Sequence, residues 1–301
     1  MGRARRSASR HGRLVRPLIG VLCVGVALVA SRAGGSPVYR SVPVGAAFQY
    51  QLQVSDTGSS SSGGIDVSLC ARQTSSPGCV RARVFDIDLY GPTGAPNRAA
   101  VEAIHAQGGY AICYVDAGTW ENWRPDAKRF AATLLGRSNG WPGERWLDVR
   151  HIAKLLPIMS ARVQRCAKAG FDAVEFDNVD AYSNASGFAI TGADQLRYNE
   201  ALAALAHRFH LAAGLKNDYA QASVLVHYFD FAIDESCVQY HECSLLAPFV
   251  RAAKAVYDVE YSSSPSRFCP IAAKSRVTAI AKALALRATP WSICPTLARS
   301  T

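Results

Sequence analysis

Apolar runs in this chain end in carboxylates. Val84-Phe85 leads into Asp86 and Asp88, and the run 111–115 ends at Asp116. Val174-Glu175-Phe176 ends at Asp177, with Asn178 and Asp180 close behind, and Leu215-Lys216 ends at Asn217-Asp218. The run 229–233 ends at Asp234-Glu235, and 256–259 at Glu260. Acids gathered at the ends of strands suit the cleavage of a glycosidic bond. One carboxyl protonates the leaving oxygen, and a second attacks the anomeric carbon or activates water to do so. The acid has to keep its proton near neutral pH, which burial or a neighbouring negative charge arranges.

Asp177 is the first candidate. Strand alternation puts Glu175 and Asp177 on one side and Phe176 on the other, with Glu175 deeper. Glu235 is the second, two strands later, where two side chains can meet across a barrel mouth. Asp177 as nucleophile and Glu235 as acid/base is the preferred pairing, and the two roles can be exchanged. Asp86, Asp88, Asp116, Asn178, Asp180, Asp218 and Glu260 read as ligands for substrate hydroxyls or amines, or equally as salt-bridged rim groups. Lys216 and Asn217 can donate to sugar oxygens or brace the rim. Tyr114, Trp120, Tyr182 and Tyr261 stand beside these acids, where they offer stacking faces for sugar rings or ordinary packing.

Such residues need a scaffold that delivers strand ends to one face. Strand-like runs at 48–52, 83–89, 110–115, 146–149, 171–176, 211–216, 229–233 and 256–260 alternate with helix-like segments near 96–107, 152–169, 193–209, 220–226 and 245–253. Gly170 is a stop signal for the helix before it. This pattern predicts an α/β fold, a single-domain (β/α)8 TIM-type barrel over 47–301, with active residues at the carboxyl ends of its strands. A ninth run at 278–284 leaves the strand count open. Residues 55–64 are Asp, Thr, Ser and Gly, with no apolar side chain to bury, which reads as a loop, and 70–79 as a disulfide-closed excursion from it.

The formal charge of +10 is concentrated. Seven arginines precede residue 34 and no acid does, so the remainder carries about +3 and gives no case for nucleic acid. Residues 1–33 read as an export signal: a basic stretch, an apolar core over 17–30, then Ser31-Arg32-Ala33. An uncleaved anchor is the alternative, although the core is short for a span. Residues 34–46 read as a flexible lead. Of nine cysteines, Cys23 lies in the leader. The other eight suit disulfides in an exported chain. Local spacing favours Cys70–Cys79 and Cys237–Cys243; Cys269–Cys294 can tie down the tail, which leaves Cys113 and Cys166, with Cys113 equally readable as a buried free thiol inside a strand. No P-loop, Gly-x-Ser-x-Gly elbow or zinc-type Cys/His spacing appears, and no cofactor or metal is expected.

Seven ordered stretches carry a family resemblance. They are Val84-Phe85-Asp86-Ile87-Asp88-Leu89-Tyr90, Ile112-Cys113-Tyr114, residues 117–126 (AGTWENWRPD), residues 140–148 (GWPGERWLD), Val174-Glu175-Phe176-Asp177-Asn178-Val179-Asp180, Gly214-Leu215-Lys216-Asn217-Asp218, and residues 235–243 (ESCVQYHEC). Across 45–262 the chain resembles glycoside hydrolase family 114, the endo-α-1,4-polygalactosaminidases. The resemblance implies a barrel, secretion, cleavage of α-1,4-linked galactosamine polymers, a catalytic Asp at Asp177 and a catalytic Glu at Glu235. Two departures stand out. Residues 58–80 look inserted, and Phe176 and Asp234 occupy positions where Pro and Asn are expected in relatives. The expected partner is an amino-sugar polysaccharide, met by a monomer without nucleic acid or membrane. A non-catalytic carbohydrate-binding barrel and a metal-assisted hydrolase are the competing readings.

Overall fold

The computed structural model describes residues 39–54, 62–73 and 78–295. The expected leader over 1–33 lies outside them. Among the described residues no helix is long and apolar enough to cross a membrane.

Eight parallel strands form the barrel wall: β1 (Phe48–Gln51), β2 (Val84–Asp88), β3 (Tyr110–Asp116), β4 (Ala173–Asp177), β5 (Ala212–Lys216), β6 (Phe231–Glu235), β7 (Ala255–Glu260) and β8 (Thr278–Lys282). They are buried along nearly their whole length, as expected of strands covered on both faces. An antiparallel strand, Trp291–Ile293, follows β8 in the sheet. The hairpin Cys70–Gln73/Cys79–Arg81 extends the sheet beyond it, so the predicted excursion is itself a piece of β structure. At the seam, β1 meets β8 and the segment after it through hydrogen bonds. Lys282 Nζ donates to Gln49 Oε1 at 2.9 Å, Gln49 Nε2 to the Ala288 carbonyl at 3.1 Å, and Trp291 Nε1 to the Phe48 carbonyl at 3.0 Å.

The run at 146–149 is not a barrel strand. Glu144–Trp146 instead pairs antiparallel with Thr119–Glu121, a two-stranded ribbon raised on the long connection after β3. Thr278–Lys282 takes the eighth place. Periodicity could not separate the two, because both are short apolar runs and only pairing partners distinguish them.

Helices α1 (Arg98–Ala106), α2 (Ile152–Ala169), α3 (Gly192–Arg208), α4 (Ala222–Leu225), α5 (Ala247–Arg251) and α6 (Pro265–Ser275) lie between or after the strands. α2 turns Leu155, Ile158, Met159, Val163 and Cys166 into the core and stops at Gly170, whose φ of 94° suits only a residue without Cβ. α3 opens on a capping box in which Thr191 and Asp194 exchange backbone donors. Residues 39–46, expected as a lead, are tied to the barrel: Tyr39 Oη donates to Asp230 at 2.8 Å and Tyr257 Oη to the Pro43 carbonyl at 2.5 Å. All four disulfides form, with Cys113 of β3 joined to Cys166 of α2.

Candidate active site

Register decides which side chains point into the barrel. Tyr50 pairs with Asp86, Tyr114 with Glu175, Asp116 with Asp177, Glu175 with Gly214, and Lys216 with Ile233. Residues in register share a face and alternate along each strand, so Tyr50, Asp86, Tyr114, Glu175, Asp177, Lys216 and Glu235 all face inward. Gly214 sits on that face because Phe231 fills the space: a Cβ there would meet the Phe231 ring at 2.3 Å.

Lys216 joins the two expected catalytic acids. Its ammonium lies 3.1 Å from Asp177 Oδ1, 3.2 Å from Glu235 Oε2 and 3.6 Å from Glu175 Oε1, and its side chain is 1% exposed. The first two distances cap the Asp177 Oδ1 to Glu235 Oε2 separation at their sum, 6.3 Å. Asp177 also accepts from Tyr114 Oη at 2.6 Å and from the Asn178 amide at 2.8 Å. Glu235 accepts from Tyr261 Oη and shows 30% of its side chain to solvent, against 15% for Asp177.

The turns after these strands are as specific as the side chains. Asn178, Asn217, Asp218 and Ser236 all have positive φ, at 59°, 51°, 38° and 66°. Non-glycine residues held in that region cluster at functional sites. Asn217 Oδ1 accepts the Glu235 amide at 3.1 Å, which fixes where β6 ends. The amides of Ala117 and Gly118 both donate to the Asp177 carbonyl. Gly118 permits this approach, since a Cβ there would stand 1.6 Å from the Asn178 carbonyl oxygen.

Beneath the pair lies a charged layer that sequence reasoning had only half identified. Tyr50 Oη contacts Glu175 Oε1 at 3.4 Å and accepts from Lys216 at 3.3 Å. Burial pushes the Glu175 carboxyl up to about 7, although the Lys216 ammonium opposes this. Asp86 is fully buried below the rim, and no donor reaches either of its oxygens. Burial, then the Glu175 charge, hold its carboxyl far above the ordinary range.

Around the mouth the predicted rim residues divide. Asp116 accepts from the Thr119 amide at 2.8 Å and from Asn178 Nδ2 at 2.9 Å; burial raises its pKa first, then Glu121 and Asp177. Asp88 pairs with Arg124 at 2.7 Å, and Arg124 also holds Glu121. Asp218 accepts from Tyr182 Oη and Asn199 Nδ2, and burial pushes it up to about 8. Asp180 is half-buried, raised by burial and then by the Asp177 charge. Trp120 is half-buried and donates to the Ala127 carbonyl at 3.0 Å.

Glu260, expected at the rim, is elsewhere. Tyr261 reaches inward to Glu235, so its neighbour Glu260 turns to the outer side. There it is fully buried and its Oε1 accepts the amides of Val238 and Gln239 in the Cys237–Cys243 loop. Asp234 and Asp258 share that side, in register. Asp234 is fully buried without a hydrogen-bond partner, and burial, then Glu242, push it up to about 8. Glu144 and Arg124 were not singled out as site residues. Both lie within the motif stretches on the β3 connection, and only the folded ribbon brings them to the mouth. The Asp177 charge contributes to a raised Glu144 pKa, after burial.

A family model for glycoside-hydrolase family GH114 matches residues 29–296. The chain belongs to that family. It is therefore a glycoside hydrolase, on a TIM-type barrel. Among solved structures it is similar to Aspergillus fumigatus Ega3 in complex with galactosamine, at 28% identity and a TM-score of 0.71, covering 85% of this chain and 97% of that one. It also shares its fold with the glycoside hydrolase domain of PelA from Pseudomonas aeruginosa, at 12% identity and a TM-score of 0.55, covering 82% of this chain and 97% of that one. No curated protein matches the chain in sequence.

Proposed function

We propose that this GH114 member is an exported, retaining glycosidase that cleaves α-1,4-linked galactosamine polymers through Asp177 and Glu235. The observation that carries this is the shared contact with Lys216, which keeps one oxygen of each carboxylate within 6.3 Å of the other. Retention calls for carboxyl groups about 5–5.5 Å apart, and inversion for about 6.5–9.5 Å.

The hydrogen bonds support a division of roles. Asp177 accepts from Tyr114, Lys216 and the Asn178 amide, a donor set that fixes its carboxylate in one orientation for attack. Glu235, held by Tyr261 Oη and the Lys216 ammonium and open to solvent on its remaining side, is left for the acid/base role. In the first step Asp177 attacks the anomeric carbon while Glu235 protonates the departing oxygen. In the second, Glu235 takes a proton from water as that water displaces Asp177. A deacetylated polymer carries ammonium groups, for which the half-buried acids Glu144 and Asp180 at the mouth offer acceptors. The similarity to a galactosamine-bound relative supports the same sugar. Four disulfides fit an oxidising compartment.

Proton NMR of early products from deacetylated α-1,4-galactosaminan tests this directly. The expected result is newly formed α-anomeric ends. Initial β-anomers would overturn retention, and an intact polymer would overturn the substrate.

A further inference from the structure

The connection between β3 and α2 is long for a barrel loop, running from Ala117 to His151, and it carries two indole rings that the core does not use. Trp123 is 54% exposed and Trp141 is 53% exposed. Most large aromatics of this chain are buried, so a pair left open on one ribbon calls for an explanation.

The two belong to one rigid surface. The Asn122 amide donates to the Gly143 carbonyl at 3.1 Å, and the Gly143 backbone packs so closely on Trp123 that a Cβ there would stand 2.9 Å from the ring. Trp141 lies two residues earlier and accepts the Glu144 amide at 3.2 Å. The surface is also anchored to the mouth. Arg124, next to Trp123, bridges Asp88 at the end of β2 and Glu121. Glu144 accepts from Thr119 Oγ1 at 3.3 Å and from Asn139 Nδ2 at 2.6 Å, and it lies within electrostatic reach of Asp177.

We infer that Trp123, Trp141 and Glu144 form a distal subsite, which binds a galactosamine residue of the polymer beyond the two sugars joined by the scissile bond. The inference rests on the proposed substrate. The occupant follows from the chemistry present. Flat, exposed indoles take the C–H face of a sugar ring, and tryptophan is the best aromatic partner for an ammonium. Glu144, held by Thr119 and Asn139 on the same ribbon, supplies a carboxylate, which favours a charged amine over an acetamide. Continuity with the acidic mouth directs the chain from this surface toward Asp177.

Equilibrium binding tests this without turnover. An α-1,4-galactosamine hexamer and its N-acetylated counterpart are titrated by calorimetry into Asp177→Asn protein, alone and with Trp123→Ala/Trp141→Ala or Glu144→Gln added. The Trp changes are expected to weaken both ligands about tenfold. Glu144→Gln is expected to weaken only the deacetylated one, by about threefold or more, because glutamine keeps the acceptor for Thr119 and Asn139. Trp141→Phe should recover part of the loss. Thermal melts check folding, which exposed side chains should leave unchanged. Trp variants that bind both hexamers within twofold of the parent would overturn the inference. If wild-type protein leaves the polymer intact while the Trp changes still weaken binding, the proposed hydrolysis fails and the subsite stands. If the wild type cleaves and the Trp variants bind normally, the subsite alone fails.

Discussion

Replacing Lys216 by Met removes one ammonium and keeps an apolar stem of similar length. The charge sits 3.1 to 3.6 Å from three carboxylates, with 1% of the side chain exposed. At an effective dielectric constant near 20, each of the closer contacts attracts by about 5 kcal/mol. Burying the ammonium costs several kcal/mol in return, and removing one member of a buried network typically loses about 3–5 kcal/mol. Glu235 is 30% exposed, so water screens its share, and a net loss near the lower end, about 3 kcal/mol, is expected at pH 8. The loss should depend on pH in a definite sense. Without the cation the cluster is relieved by taking up protons, and Glu175 already titrates at about 7. The deficit at pH 5 should therefore be no more than about half that at pH 8. Urea unfolding of both proteins at the two pH values, followed by circular dichroism, measures this. A deficit below about 1 kcal/mol at pH 8, or a larger one at pH 5, would refute the view that Lys216 neutralises the acids around it.

Two further predictions concern stability. Asp234 has a folded pKa of about 8, above the ordinary carboxylate range. The folded state then binds more protons than the unfolded one between about pH 4 and 8, and stability falls as pH rises through that window. Asp234→Asn should remove the part of that dependence due to Asp234, adding at least about 2 kcal/mol at pH 8 and little at pH 4; equal effects at both pH values would contradict it. Cys113–Cys166 closes a separation of 53 residues between β3 and α2. Replacing both by Ala should cost about 2–4 kcal/mol in chemical denaturation, and an unchanged midpoint would contradict its stabilising role.

Much of the site could be read from the sequence because parallel strands translate position into direction. The acids after Phe176 and Ile233 lie at strand ends, and Lys216 lies on the strand between them, so a barrel has to bring the three together. Two errors show where that reasoning stops. Glu260 differs from Tyr261 by one residue, and alternation sends it to the opposite side of the wall; a one-residue error in register reverses a role. Trp146-Leu147-Asp148-Val149 has the composition of a strand, and only its antiparallel partner Thr119–Glu121 reveals a ribbon outside the barrel. Tyr50 and Glu144 needed tertiary contacts to be noticed, since neither sits at a strand end beside an acidic run. The pairing of Cys113 with Cys166 depended on the approach of a helix to a strand, which spacing along the chain does not encode.

The proposed mechanism depends on Asp177 and Glu235 acting as a pair. Release of reducing ends from deacetylated α-1,4-galactosaminan, compared for wild-type protein and folded Asp177→Asn and Glu235→Gln variants, tests it most directly. Each variant should lose on the order of a thousandfold or more in kcat while keeping its melting temperature. Near-normal turnover in either one would contradict the assignment.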